Sequence, residues 1–153
     1  MRLAIPLLCL SLVACGDEDI DELPCEVLGG NLSGTIDGGS FDFVAGETSS
    51  FLSDDEEFFA TLYGEDYETC GYDVPDGSHI IVSIPTTVGE YEMGAMMNGT
   101  FVYDEGGSPM NEIAFSGVVV VDEVTETTVS GALCMAVGDH EVNGEFTLDI
   151  CGD

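Results

Sequence analysis

The balance of charge constrains this chain more than any other feature of its sequence. Arg2 is the one Lys or Arg residue, against 31 Asp and Glu residues, and the formal net charge is −30. Apart from Arg2, a carboxylate can therefore find a cationic side chain only in His79 or His140. We expect repulsion among the carboxylates to destabilise the compact state at low ionic strength. Salt should screen it, since the Debye length is about 8 Å at physiological ionic strength.

The acidity also restricts the partners of the chain. Nucleic acid is not expected, because binding it requires Lys or Arg side chains that neutralise phosphates. Anionic lipid surfaces are disfavoured for the same reason. Divalent cations and basic or cationic partners remain. Two interpretations stay open: carboxylates that keep the surface hydrated in a saline habitat, or a site for Ca²⁺.

Calcium takes about six to eight oxygen ligands, many of them carboxylates. The sequence has no EF-hand pattern and no calcium-binding nonapeptide repeat. The candidate ligands lie instead in plain acidic stretches, which are Asp54, Asp55, Glu56 and Glu57, and Glu65 with Asp66. We expect no obligatory cofactor and treat Ca²⁺ at these six carboxylates as a hypothesis.

The first residues have the pattern of an export signal. Met1-Arg2 is a short basic segment, and residues 3–13 are an apolar stretch of eleven residues. That stretch is too short to span a bilayer and has the length of the apolar part of a signal peptide. We predict a signal peptide over residues 1–14.

Leu12-Val13-Ala14-Cys15 resembles the lipobox of bacterial lipoproteins. The resemblance implies cleavage before Cys15 and acylation of that residue, and two or three acyl chains anchor a protein stably. An ordinary secretory signal with a chance cysteine is the alternative. Gly16 is not the Asp that retains lipoproteins in the inner membrane, so the resemblance implies an outer-membrane anchor. The acidic run 17–22 resembles an export signal to the cell surface, or is a plain tether. The protein would then face the periplasm or the cell surface.

The rest of the chain has the composition of a β protein. It has no Trp and 20 Gly, and it is rich in Val, Thr, Phe and Tyr, with no long run of helix formers. After an acidic tether over 15–24, we predict a single β domain over 25–153. The alternation of apolar and polar residues predicts about eight or nine short strands in an antiparallel β-sandwich or small barrel. The predicted strands cover residues 32–36, 40–45, 57–63, 78–84, 89–93, 100–103, 112–122, 128–137 and 142–151.

Two tight turns punctuate this pattern. Asp37-Gly38-Gly39 predicts a hairpin, because glycine supplies the positive φ that such turns require. For the last hairpin we favour a turn at Gly138-Asp139, because it keeps the final strand whole and sets Gly131 opposite Phe146. Asn143-Gly144 is the stronger turn dipeptide but interrupts the apolar alternation.

In the strand predicted over 112–122, four apolar side chains should point inward: Ile113, Phe115, Val119 and Val121. The run of valines at 118–121 predicts burial on both faces near the centre of a sheet.

Four of the six cysteines remain after Cys9 and Cys15 are set aside. An even number in an exported domain predicts two disulfides. Zinc is disfavoured because no two of the four have the close spacing of zinc ligands. If the last strand pairs antiparallel with the first, Cys151 lies near Cys25. We therefore predict the pairs Cys25–Cys151 and Cys70–Cys134.

No catalytic motif is present, and we predict that the protein is not an enzyme. His79 is predicted on a strand surface, and His140 as a solvated turn residue. A hydrolase, the most distant alternative, would need a cleft that holds either histidine against carboxylates.

Short segments resemble a group of small uncharacterised β-rich bacterial lipoproteins: residues 34–38, 88–91, 129–131 and 143–146. This resemblance implies a fold and a location, and carries no established activity. The sequence thus predicts a lipid-anchored cell-envelope protein that acts by binding or as a structural component. A Ca²⁺-dependent binding or adhesion module is the alternative.

Overall fold

The computed structural model describes residues 25–152, which form eleven β-strands and no helix. The all-β prediction is therefore confirmed. Within these residues, no helix has the length and apolarity needed to cross a membrane. The strands are β1 (Ser33–Ile36), β2 (Gly39–Asp42), β3 (Ala45–Thr48), β4 (Glu57–Tyr63), β5 (His79–Pro85), β6 (Gly89–Glu92), β7 (Gly99–Asp104), β8 (Pro109–Ala114), β9 (Gly117–Val124), β10 (Thr128–Val137) and β11 (His140–Ile150).

The strands form one curled sheet in the order β6-β9-β10-β11-β3-β4-β5-β7-β8, with the β1–β2 hairpin added beside β11. All pairs are antiparallel except β11 with β3, so the sheet is mixed where a purely antiparallel one was predicted. Because β11 has eleven residues, more than either neighbour on that side, both β1 and β3 can pair along it. Its start pairs with β1 and its end pairs with β3.

Both predicted tight turns are present. Ile36 pairs with Gly39, and the two residues between them have positive φ, 50° at Asp37 and 70° at Gly38. Positive φ at both central residues gives the turn a twist that matches the twist of the two flanking strands in a two-residue hairpin. The β10–β11 hairpin turns at Gly138-Asp139, and Gly131 is the partner of Phe146, as predicted.

The curl wraps the inner faces of the strands around one apolar core. Its larger members come from nearly every strand, and they include Leu62, Ile80, Phe101, Leu133, Met135 and Leu148, each fully buried. Burial of each such side chain contributes about 1.5–3 kcal/mol, and it is apolar burial that can offset the repulsion among carboxylates. Val118 and Val119 are both buried, so both faces of β9 are covered there as predicted, but β9 lies next to the edge strand β6 and not near the centre of the sheet.

One predicted strand is wrong in its bounds and facing. Residues 112–122 are not continuous, because β8 ends at Ala114 and β9 begins at Gly117. Ile113 is 46% and Phe115 is 55% exposed, although both were predicted inward. The reason is that β8 turns Ala114 inward and therefore Ile113 outward, whereas Phe115 lies between the end of β8 and the start of β9. Because the strands are shorter than predicted, the sheet has eleven of them, where eight or nine were predicted.

Candidate functional site

His140 is the first residue of β11, directly after the tight turn of the last hairpin. It is only 4% exposed, so the prediction of a solvated turn residue is wrong. The imidazole packs between two aromatic rings of β7, with centroid distances of 5.3 Å to Phe101 and 4.8 Å to Tyr103. The curl of the sheet brings β7 over the end of the hairpin and buries the histidine.

Both ring nitrogens of His140 have a partner. The backbone N–H of Asp37 donates to Nδ1 at 2.9 Å, so Nδ1 must carry a lone pair. Nε2 lies 2.9 Å from Oε2 of Glu112 and donates its hydrogen to that carboxylate. These two bonds select the neutral tautomer with hydrogen on Nε2.

Glu112 reaches His140 because it faces inward from the edge strand β8. It shares a face with Ala114, which is fully buried, and its own side chain is 39% exposed. No motif in the sequence marks Glu112, Asp37 and Tyr103 as a group. The one available signal was the period-two pattern of β8, which places Glu112 on the face of Ala114.

An open cleft of about 560 Å³ lies above this histidine. Its walls are the β1–β2 turn, the β10–β11 turn, and the side chains of Tyr103 and Glu112. The carboxylates of Asp37, Glu112 and Asp139 line it, and within residues 25–152 no Lys or Arg does. Burial, and the negative charges of Glu112, Glu105 and Asp37, raise the pKa of Tyr103 above its ordinary value. The cleft therefore has a negative potential.

This arrangement favours recognition of a cation over nucleophilic catalysis. A general base of the serine-hydrolase type needs a free imidazole nitrogen beside a nucleophile. Here Nδ1 accepts from Asp37 and Nε2 donates to Glu112. Among the described residues, those that line the cleft include no Ser, Thr, Cys or Lys. Three carboxylates and an aromatic ring are groups that bind an ammonium or guanidinium ion.

His79 lies on the outer side of β5, as predicted. Its Nδ1 is 2.9 Å from the carbonyl oxygen of Gly77, and its ring lies 4.9 Å from that of Tyr63. The structure does not bring His79 and His140 together: each packs against different aromatic rings.

A second polar cluster lies where β3 and β11 run parallel. Glu47 and Asp149 are direct partners in this pair, so two like charges stand side by side. The loop 64–78 supplies donors to both, from the backbone N–H of Cys70 to Glu47 and from the Thr69 hydroxyl to Asp149. The hydroxyl of Tyr67 is buried nearby without a hydrogen-bond partner. Burial and the charges of Glu47 and Asp149 raise its pKa well above its ordinary value.

The structure joins Cys25 to Cys134 and Cys70 to Cys151, with Cα–Cα distances of 6.2 and 5.3 Å. Two disulfides were predicted, but the predicted pairing, Cys25–Cys151 and Cys70–Cys134, is wrong. The first and last strands do pair antiparallel, yet the register sets Ser33 opposite Asn143 near the start of β11.

Side-chain bonds explain where the two disulfides close. Asn143, the partner of Cys134, accepts from the N–H of Leu28 at 2.8 Å and donates to the carbonyl of Glu26 at 2.9 Å. These bonds hold the segment that contains Cys25. The loop 64–78 folds back to the other end of β11 and meets Cys151.

Of the six carboxylates considered for Ca²⁺, five lie in two exposed loops, and Glu57 is the partly buried first residue of β4. Asp54 accepts from the N–H groups of Glu56 and Glu57, at 2.8 and 2.9 Å, and these bonds lower its pKa. Glu65 and Asp66 follow β4 in the loop 64–78. Within residues 25–152, the one group of three potential ligand atoms within 4.8 Å is Glu47 with Cys70 and Cys151, whose sulfurs form a disulfide. Calcium at the six carboxylates stays a prediction.

The predicted signal peptide, the predicted lipidation site Cys15 and the predicted acidic tether over 15–24 lie outside the described residues. Comparison of the chain with profiles of protein families, with curated proteins and with solved structures finds no match.

Proposed function

We propose that this protein is a lipid-anchored component of the cell envelope that acts by binding, without catalysis, and that it binds a cationic group in the cleft above His140. The anchor is Cys15 in the outer membrane, with the β domain facing the periplasm or the cell surface. The ligand class is an organic ammonium or guanidinium ion, such as the side chain of a basic partner.

Two features support the location. The pattern of residues 1–15 is that of a lipoprotein signal. Disulfides persist in oxidising compartments outside the cytoplasm, and the structure contains two of them. Neither feature distinguishes the periplasmic side from the cell surface.

One observation carries the proposed ligand class. The cleft of about 560 Å³ places three carboxylates around a buried neutral histidine, with no basic side chain in its lining. Glu112 is held in position by His140, and the backbone N–H of Asp37 donates to the same ring. A rigid arrangement reduces the entropy lost on binding.

An NMR titration of the full chain in detergent micelles tests the proposal. The probe is n-butylammonium chloride, titrated against NaCl of equal ionic strength. The chain has two histidines, so the ring resonances of His140 are assigned by comparison with the variant His79→Gln. We expect a saturable shift of the His140 signals that NaCl does not produce.

Two variants of equal charge separate the cleft from the general negative potential. Glu112→Gln should weaken butylammonium binding by about two- to five-fold, the effect of one partly exposed charge. Glu123→Gln removes the same charge from an exposed position on β9 and should leave the affinity unchanged. Equal weakening by both variants would mean diffuse attraction and would contradict the proposed site.

A further inference from the structure

The hydrogen bond between Asp37 and His140 exists only while the imidazole is neutral. The backbone N–H of Asp37 donates to Nδ1 at 2.9 Å, and Nε2 donates to Glu112 at 2.9 Å. In an imidazolium ion both nitrogens carry hydrogen and both are donors. A proton taken from water onto Nδ1 would therefore face the N–H of Asp37, donor against donor. Rotation of the ring offers no alternative, because it exchanges two nitrogens that both donate.

The other neighbours of the ring stabilise its charged form. Oε2 of Glu112 is the counter-charge on β8. On β7 the ring centroids of Phe101 and Tyr103 lie 5.3 and 4.8 Å away, within the about 6 Å over which aromatic faces attract a cation. Burial opposes the charge, since His140 is only 4% exposed. Of the two hydrogen bonds of the ring, only the one with Asp37 is incompatible with the charge.

The imidazole is the group in this site that responds to pH near neutrality. In the described part of the chain, the other ionisable groups around it are Glu112 on β8, Tyr103 on β7, Asp37 in the β1–β2 turn and Asp139 in the β10–β11 turn. Glu105, which follows β7, adds its negative charge at Tyr103. Glu141, the next residue of β11, projects to the opposite face of that strand. Of these side-chain types, only the imidazole ordinarily changes charge between about pH 5 and 8.

The β1–β2 turn is the part of the site that can move when the bond to Asp37 breaks. Residues 37–39 are exposed, and Ile36 is the buried anchor that precedes them. The strands β1 and β2 have four residues each and lie beside the main order of the sheet. By contrast, β8 pairs with β7 along its whole length and keeps Glu112 in place. We therefore expect the tip of the β1–β2 hairpin to leave the ring while the other strands keep their positions.

We propose that His140 is a pH-dependent switch that holds the β1–β2 turn against the cleft when neutral and releases it when protonated. Release takes the carboxylate of Asp37 away from the wall of the cleft and leaves an imidazolium beneath it. Both changes weaken the attraction for a cation, so an ammonium or guanidinium ion is bound near neutral pH and released in acid. The effect on the ligand rests on the proposed function of the cleft, whereas the release of the turn does not.

A pH titration of the full chain in non-ionic micelles, without ligand, tests the switch by NMR. The ring signals of His140 and the amide signal of Asp37 are followed from about pH 8 to about pH 5. We expect both to change with one midpoint, and the amide of Asp37 to exchange faster with solvent below it. His79→Gln should leave this transition unchanged. His140→Gln offers an acceptor and a donor but takes up no proton, so its Asp37 signal should stay constant.

Two results would overturn the switch: an Asp37 amide that does not follow His140, or an imidazole that stays neutral down to about pH 5. If His140→Gln does not fold, Glu112→Gln provides the second variant. It removes the counter-charge of the imidazolium, so the transition of the Asp37 amide should move to lower pH. An unchanged midpoint in Glu112→Gln would mean that another group controls the turn, and would equally overturn the switch.

The affinity for n-butylammonium at about pH 7.5 and about pH 5 tests the release of the ligand. Binding to the wild type should weaken about five-fold or more at the lower pH. His140→Gln reports the part of this change that comes from titration of carboxylates, and it should weaken less. Equal weakening in both proteins would overturn the release of ligand by His140. Absence of binding at either pH would refute the proposed function, whereas the titration of the Asp37 amide tests the switch independently.

Discussion

Nε2 of His140 lies 2.9 Å from Oε2 of Glu112, across 28 residues of sequence, and this contact joins the last hairpin to the opposite edge of the sheet. His140 is buried at the start of β11, whereas Glu112 belongs to the edge strand β8. The backbone N–H of Asp37 completes the arrangement from a third hairpin. One imidazole thus connects three hairpins, and its tautomer is determined by the two partners.

Removal of the Glu112 carboxylate should destabilise the fold. In Glu112→Ala the buried Nε2–H of His140 has no acceptor, which costs about 1–3 kcal/mol in free energy of unfolding. Glu112→Gln keeps an acceptor oxygen and should cost about 1 kcal/mol or less. Urea unfolding measures both, with Glu123→Ala as an exposed control. Equal effects of Glu112→Ala and Glu123→Ala would show that the contact with His140 does not stabilise the protein.

Tyr67 should make the protein sensitive to alkali. Its folded pKa is raised above the ordinary value, so the neutral phenol is favoured in the folded state. Ionising Tyr67 therefore costs more free energy in the folded state than in the unfolded state. The stabilising contribution of the neutral phenol is complete below about pH 10, the unfolded pKa, and is lost as the pH rises above that value. Tyr67→Phe should remove part of this alkaline loss.

At pH 7 the same substitution should change the free energy of unfolding by less than about 1 kcal/mol, because the buried hydroxyl has no hydrogen-bond partner to lose. Tyr72→Phe, at a fully exposed ring, is the control at both pH values. A large loss of stability in Tyr67→Phe at pH 7 would mean that the hydroxyl makes a stabilising bond.

The disulfide pairing can be tested by peptide mapping without reduction. The chain has a single basic residue, Arg2, so cleavage after Glu or before Asp replaces trypsin. We expect peptides linking Cys25 to Cys134 and Cys70 to Cys151. Removing Cys25 and Cys134 together should lower the free energy of unfolding by about 2–5 kcal/mol. A peptide linking Cys25 to Cys151 would contradict the register of β1 on β11.

Gly131 should not tolerate a side chain. A Cβ at this position would lie 1.9 Å from the backbone carbonyl oxygen of Val120. Because backbone atoms of β9 must move, Gly131→Ala should lower the free energy of unfolding by about 1–3 kcal/mol. Gly94→Ala is the matched control, since nothing lies within 4 Å of a Cβ there. Comparable stability of the two variants in urea would mean that β9 and β10 are less closely paired.

Salt should stabilise the protein. The effect of calcium distinguishes carboxylates that only keep the surface hydrated from carboxylates that form a Ca²⁺ site. We expect the thermal midpoint to rise with NaCl, because a net charge of −30 is screened. If the acidity is a surface property, about 1 mM CaCl₂ at the same ionic strength should add nothing further. An additional rise of several degrees would indicate Ca²⁺ bound to the folded state and would favour the calcium-dependent module.

Period-two patterns and turn residues determined much of the fold from the sequence alone. The strand over 57–63 begins and ends as predicted, because Ala60 and Leu62 alternate with partly exposed neighbours. The turn at Gly138-Asp139 and the pairing of Gly131 with Phe146 follow from the same local alternation. Such signals are local, since a strand needs only its own side chains to select which face is buried.

The disulfide pairing and the burial of His140 depend on strand register and on the curl of the sheet, so only the tertiary structure decided them. The order of the cysteines in the chain is compatible with three pairings. The pairing seen here follows from Asn143, which holds the segment around Cys25 at the start of β11. His140 next to a turn has the sequence pattern of a solvated residue. It is buried because β7 and β8, some 30 residues earlier, fold over it. Both outcomes rest on contacts between distant segments, which a local pattern does not encode.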